Sequence, residues 1–494
     1  MKTSGPEQKE DAIKETISSS RHRSNRCGAV MGRINALPST SVLAGIVRHS
    51  FSAARGCLLL SLAGLCLSCL AEGFKVELKD FDRTDGTSAR WTTWAPREEI
   101  KPRCFVDSVH FRSAPDALAI CGNGNAAEYG GWVYPIENIK AGRYYRLTAY
   151  YRTESVQYEQ RQVVARLTWF DQQGRQVGQA DHAYETSVEG EWKRLMLRVP
   201  ALDQAVRVNL ELRLGWAPQG TVWWDDISFE ETAPPAPRVI RVGSVSLRPR
   251  DTANKEANLN VFLQALDEIA KDRPDIVCLG EAIPVVGNSE TSVGAAEEIP
   301  GPITSRLGER ARQHRMYIVA GLFEREGQAV YNTAVLIDRQ GNVVGKYRKV
   351  YLPREETDAG LTPGMAYPVF TTDFGKIGIM ICWDAEYVDP ARALAVQGAE
   401  IIFVPAAGGY LIQLQARALE NHVYLVSSGY DVETAIINPQ GEVLHATRES
   451  GVYKTIPIDL QERFMNPWLG DMRPRFHKEI RWDIPVAELA DRHD

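Results

Sequence analysis

The sequence predicts two folded domains, an all-β sandwich followed by an α/β domain with a mixed sheet, and three observations carry that prediction. From about Phe74 to Glu231, apolar and polar residues alternate in short runs separated by Gly, Asn and Asp, the period-2 signature of strands. The stretch Thr232-Ala-Pro-Pro-Ala-Pro-Arg238 then breaks the pattern with a Pro-rich spacer that cannot join a sheet. Beyond it, apolar strand-like runs alternate with helix-period segments, and a chain of 494 residues exceeds what one hydrophobic core usually organises.

Residues 1–71 are expected to be appendage. Through about Arg55 the chain is rich in Ser, Arg and Lys with no sustained apolar period, so it should not pack. The apolar run from Cys57 is short for a membrane span and ends in Cys69-Leu70-Ala71. It reads as a secretory signal cleaved near Ala71, or retained as an anchor, with Met1 or Met31 as the start. The expected location is periplasmic, cell-surface or secreted.

Residues 72–231 read as the sandwich. Examples of its strands are Tyr144-Tyr-Arg-Leu-Thr-Ala-Tyr-Tyr-Arg152, Val163-Val-Ala-Arg-Leu-Thr-Trp-Phe170 and Val206-Arg-Val-Asn-Leu-Glu-Leu-Arg-Leu214, and Asp171-Gln-Gln-Gly174 suits a hairpin turn. Trp residues are frequent here, among them Trp91, Trp94, Trp132, Trp169, Trp216, Trp223 and Trp224. Within strands such rings are more often core than sugar-stacking platforms. Residues 232–238 form the spacer, 239–485 the α/β domain and 486–494 a tail. In the α/β domain, Leu259, Phe262, Leu263, Leu266 and Ile269 recur at helical steps, giving one apolar face to pack on a sheet. Strand-like runs include Asp275–Gly280, Met316–Leu322, Ala334–Ile337, Ile377–Cys382 and Glu400–Pro405.

Composition narrows the function. Hydrophobic residues at 44% and charged residues at 24% are ordinary for a globular protein. A net charge of -6 without a long basic run in the folded part argues against nucleic acid and for a small-molecule partner. Eight cysteines are spread without a disulfide framework or a zinc spacing, so no metal site is expected in the α/β domain. In an oxidising compartment Cys104 and Cys121 could pair, whereas a reactive Cys382 must stay free.

Three positions at or just beyond strand-like runs carry side chains of catalytic type: Glu281, Lys349 and Cys382. Taken singly, each has a bland reading as a loop carboxylate, a solvated lysine and a buried thiol; Cys278 suggests nothing beyond packing. Their company reverses this. Leu279-Gly-Glu281, the Tyr-Arg-Lys-Val-Tyr-Leu-Pro segment around Lys349, Thr362-Pro-Gly364, Gly-Ile-Met-Ile-Cys-Trp-Asp through Cys382, and Ala416-Arg-Ala-Leu-Glu-Asn421 resemble, in this order and spacing, the nitrilase or carbon-nitrogen hydrolase superfamily. The likeness covers Val239 to about Pro457.

The resemblance implies a four-layer αββα fold and hydrolysis of non-peptide C–N bonds, with amides preferred to nitriles and N-carbamoyl compounds. Cys382 would be the nucleophile, Glu281 the base and Lys349 the oxyanion stabiliser; no cofactor is implied. A second glutamate, Glu356 in preference to Glu355, would orient substrate and Lys349. Trp383, Asp384 and Glu420 are candidates for support behind these groups. Two positions depart from the family pattern: Asp389 stands where a glutamate is usual, and Gly280 replaces a proline. Association into a homo-oligomer is implied by the family.

The segment Gly220-Thr-Val-Trp-Trp-Asp-Asp-Ile-Ser-Phe229 resembles the last strand of jelly-roll carbohydrate-binding modules. That likeness implies a structural calcium near its aspartates and a glycan or cell-surface ligand for the sandwich. The competing reading of the whole chain is a surface-binding protein with a silent hydrolase-like domain; the presence of Glu281, Lys349 and Cys382 weighs against it.

Overall fold

A computed structural model describes residues 75–77, 91–466, 468–481 and 484; the expected signal and the tail lie outside the described residues. The first part is a β-sandwich. A seven-stranded antiparallel sheet faces a five-stranded one, whose strands in chain order are β1 (Thr92–Trp94), β2 (Tyr129–Ile136), β3 (Val163–Phe170), β4 (Gln176–His182) and β5 (Arg207–Gly215). Their spatial order is β1-β2-β5-β3-β4.

Alternation decides which face each residue takes. In Tyr144–Glu154 of the larger sheet, Tyr145, Leu147, Ala149 and Tyr151 are buried and their neighbours are not. They meet Leu210, Leu212, Trp169 and Trp224 in one core. The β3–β4 hairpin turns where expected: Gly174 adopts φ +75, and the Asp171 carboxylate accepts from the backbone N–H of Gln173 and Arg175 at 2.9 Å each. One feature is additional to the sequence reading, a single helical turn at Glu159–Gln162.

The α/β part contains two six-stranded mixed sheets. The first holds β6 (Val239–Ser246), β7 (Ile276–Cys278), β8 (Tyr317–Glu326), β9 (Ala329–Ile337), β10 (Val343–Arg348) and the late strand Val452–Asp459. The second runs through Val369–Thr371, β11 (Lys376–Ile379), β12 (Ile401–Pro405), Tyr424–Ser428, Thr434–Ile437 and Val443–Thr447. Val277, Leu279, Ile318 and Ala320 of the first sheet pack outward on α1 (Lys255–Ile269) and α2 (Pro302–His314). Ile276, Cys278, Tyr317 and Val319 point the other way, into a core shared with the second sheet. That sheet is also packed by α3 (Asp389–Val396) and α4 (Leu411–Asn421). Helix α1 buries the five residues its period singled out, and the Asn254 side chain caps it by accepting from Ala257 N–H.

The Pro-rich spacer is pinned at its far end, where Arg238 pairs with Glu400 at 2.9 Å and donates to the Phe374 carbonyl. The chain also returns to the sandwich near its end. Arg463 pairs with Asp181 of β4 at 2.5 Å and with Asp471 at 3.0 Å, and Lys478 of α5 (Met472–Glu479) donates to the Val163 carbonyl of β3 at 3.2 Å.

Two expectations for the sandwich meet physical objections. Cys104 stands opposite Ile120 and Cys121 opposite Arg103 on paired strands, so the two thiols project from opposite faces of the sheet and both are free. A calcium near Asp225 and Asp226 would have to compete with hydrogen bonds these carboxylates already make. Asp225 accepts from the backbone N–H of Arg112, Ser113 and Asp226, and Asp226 accepts from the Arg112 guanidinium and the Ser113 hydroxyl. Both oxygens of Asp225 and Oδ2 of Asp226 therefore already accept from N–H groups, a guanidinium or a hydroxyl, which competes with a cation for them. Among the described residues no group of three His, Cys, Asp or Glu could hold a metal ion.

Candidate active site

Each of the three predicted side chains follows a strand of the facing sheets. Glu281 comes three residues after β7, and Lys349 follows β10 directly. Cys382 begins a short 3-10 turn three residues after β11; the strand ends at Ile379 rather than running to Cys382 as the sequence suggested. The cause is backbone geometry. Cys382 has φ +43 and Ala282, next to Glu281, has φ +53, left-handed conformations that cost a side chain energy and stop a strand.

Close backbone approaches fix the other two groups. A Cβ on Gly321 of β8 would lie 2.7 Å from the Glu281 Cα, so only glycine admits that segment. A Cβ on Gly364 would lie 2.1 Å from the Arg348 carbonyl oxygen, and Gly364 N–H donates to the Lys349 carbonyl at 2.8 Å. The Thr362-Pro-Gly364 turn therefore clamps the backbone of Lys349.

Lys349 is the hub. Only 1% of its side chain is exposed, and its ammonium donates to Glu281 Oε1 at 2.8 Å and to Glu356 Oε1 at 2.7 Å. Asn332 on β9 ties the same two carboxylates together, donating to Glu281 at 2.8 Å and Glu356 at 3.0 Å. Burial works against charge on Lys349, but Glu281, Cys382 and Glu356 outweigh it and raise its pKa. Burial, and then the charge of Glu281, pushes Glu356 upward against the pull of Lys349. Glu355 is exposed, so the spacing argument for Glu356 selects the residue that reaches the lysine.

Cys382 feels both groups. Its thiol is pushed up to about 12, first by burial and then by the charge of Glu281, while Lys349 and the backbone amides of Ala407 and Gly408 pull the other way. The sulfur also lies 3.6 Å from the Gly408 carbonyl. Tyr430 sits within electrostatic reach of both Glu281 and Cys382.

The predicted supporting residues differ in what they do. Asp384 is fully buried and accepts from Ile381 N–H at 2.8 Å, Tyr351 N–H at 2.9 Å and Tyr347 Oη at 2.7 Å, so it ties the cysteine turn to the lysine segment. Glu420 acts at one remove: it accepts from Arg417, whose guanidinium donates to the Ala385 and Glu386 carbonyls of that turn. Trp383 is 40% exposed and is not packed behind the site. Asp389 opens α3 and accepts from Tyr351 Oη at 3.1 Å.

Asn332 and Tyr430 escaped the sequence reading. A signal for Asn332 was present, an amide inside the apolar strand Ala329–Ile337 that only a buried partner would justify. Replacing Asp384 with Ala strands three donors, and we expect a loss of about 3 kcal/mol of stability with a fall in kcat. A urea midpoint equal to that of the parent protein would show that Asp384 holds nothing together.

The family model for carbon-nitrogen hydrolases matches residues 241–462. A nitrilase of Pyrococcus abyssi is 32% identical over 231 residues, 43% of this chain and 86% of its own length. An omega-amidase of Xenopus tropicalis is 26% identical over 266 residues, covering 49% of this chain and 91% of that one. A solved carbon-nitrogen hydrolase from Helicobacter pylori aligns with a TM-score of 0.40 at 20% identity, over 45% of this chain and 90% of its own. The chain belongs to the carbon-nitrogen hydrolase family of the nitrilase superfamily, and its activity is of that class, the hydrolysis of C–N bonds.

Proposed function

We propose that the protein hydrolyses small primary or N-substituted amides through a thioester on Cys382. The observation that supports this most is the buried Lys349 ammonium, held between Glu281 and Glu356 within electrostatic reach of the thiol. Its charge is fixed in place before any substrate arrives, which is what stabilising a transient oxyanion requires.

In this reading Glu281 takes the thiol proton as sulfur attacks the amide carbon. The C–S bond forms, the carbonyl electron pair moves to oxygen, and Lys349 together with a backbone N–H beside Cys382 stabilises the alkoxide. The C–N bond then breaks, and ammonia or amine leaves with the proton that Glu281 held. Water attacks the thioester while giving a proton to the same carboxylate, and that proton returns to sulfur as the acid departs. Glu356 and Asn332 orient the ammonium rather than replace the base.

The test is ammonia release from a panel of amides, nitriles and N-carbamoyl compounds. We expect amides to turn over fastest; nitrile turnover exceeding every amide would move the assignment to the nitrile branch. Glu281→Gln keeps the shape and the acceptor for Lys349 but removes the base, and kcat should fall about 10²- to 10⁴-fold with KM little changed. A Glu281→Gln enzyme with full kcat would mean the proton goes elsewhere.

A further inference from the structure

The sandwich Trp residues separate into two groups. Trp91, Trp132, Trp169, Trp192, Trp223 and Trp224 are buried, whereas Trp94 is 40% exposed and Trp216 46%. The two exposed rings do not stand alone. Both line one groove of about 1150 Å³ across the outer face of the five-stranded sheet β1–β5, closed at one side by α5 and Arg481.

The register shows how the groove is built. Trp94 on β1 is paired with Gly131 on β2, and Gly131 with Arg213 on β5. Across this row the Arg213 guanidinium lies 3.9 Å from the Trp94 ring centroid. Tyr129 stacks on Trp216 at 5.4 Å and meets Trp94 edge-on at 6.4 Å. One end of the groove is thus an aromatic platform, two of whose rings are open to solvent.

The middle of the sheet is polar and mixed in character. Glu211 on β5 lies between Arg166 at 2.6 Å and Arg213 at 2.9 Å, with Asn209 and Thr168 paired one step further along. Gln176 and Gln179 of β4 continue the lining at the far edge, where Arg475 and Lys478 of α5 enter. Six lining residues are cationic, Arg161, Arg166, Arg213, Arg475, Lys478 and Arg481, against two carboxylates, Glu211 and Glu479. A cationic surplus here runs counter to the net charge of -6 of the whole chain.

We propose that this groove binds an acidic saccharide chain, one carrying uronate or similar carboxylates. Solvent-open aromatic faces suit the C–H faces of pyranose rings, and interspersed amides, hydroxyls and a carboxylate match sugar hydroxyls, which both donate and accept. The surplus of guanidinium and ammonium groups supplies the counter-charge for the acid groups. The proposal concerns binding alone and stands apart from the amide chemistry at Cys382, so either can fail without the other.

The experiment is a titration of the purified protein with oligogalacturonate, a cello-oligosaccharide of equal length and a single-stranded oligonucleotide, followed by Trp fluorescence and calorimetry. Saturable binding of the uronide, weakened by added salt and preferred over the other two, is expected. Trp94→Ala with Trp216→Ala should weaken it at least about tenfold while ammonia release and the urea unfolding of the sandwich are unchanged. Trp216→Phe, which keeps a ring, should retain most of the affinity. Equal affinity for the neutral chain, tighter binding of the oligonucleotide, no uronide binding, or binding indifferent to both Trp changes would each overturn the assignment.

Discussion

Cys382→Ala should lower kcat/KM for every substrate in the panel by at least about 10⁴-fold, because it removes the sulfur on which the proposed thioester forms. The substitution removes one sulfur from a partly buried position and should leave the fold intact. Ammonia release that survives it would mean the nucleophile is misassigned. A companion measurement concerns the resting thiol. Burial and Glu281 push it up to about 12, so it is protonated at neutral pH and becomes a thiolate only as the pH climbs toward that value. The difference in ultraviolet thiolate absorbance between the parent and Cys382→Ser should therefore stay near zero between about pH 6 and pH 9. A full thiolate signal at about pH 7 would indicate a preformed ion pair with Lys349 instead of proton transfer during attack.

Lys349→Met is expected to be as damaging, and for two separable reasons. It removes the oxyanion's cation, a loss of about 10³-fold in kcat. It also leaves the carboxylates of Glu281 and Glu356 buried without a counter-charge, which should cost about 3–5 kcal/mol of stability. The pH dependence has a definite sign. Glu356 is already raised by burial and by Glu281, and without the ammonium it rises further, so the folded variant holds protons that the unfolded chain releases. Such a group stabilises least where the unfolded carboxyl is ionised. The deficit relative to the parent should accordingly be larger at about pH 7 than at about pH 4, as measured by urea unfolding. A deficit independent of pH would show that the two carboxylates are not coupled to Lys349.

The architecture was readable from sequence because its signals are local. Alternation in Tyr144–Glu154 and helical spacing in Lys255–Ile269 each bury the residues they single out, since one face of the element meets one core. The three site positions were readable by order and type. What could not be read depends on contacts across long separations. Asn332 reaches Glu281 over 51 residues, and no local pattern marks a side chain whose partner is so distant. The end of β11 was placed too late because Gly-Ile-Met-Ile-Cys is apolar throughout, whereas the pairing with β12 stops at Ile379 and Phe403. Among the Trp residues, exposure turns on which sheet edge or loop each occupies, something alternation does not encode. Trp94 lies on a short edge strand and Trp216 just past the end of β5, where no second layer covers them.

The return of the chain end to the sandwich has a mechanical consequence. Arg463 and Lys478 grip β4 and β3 from the side opposite in sequence to the Pro-rich spacer, so the two halves are fastened at two points rather than strung on one tether. Both grips lie beyond residue 462, where the family match stops. A chain ended at residue 462 would keep every group of the reaction centre yet lose the strut, and the aromatic groove would lose the wall that α5 provides.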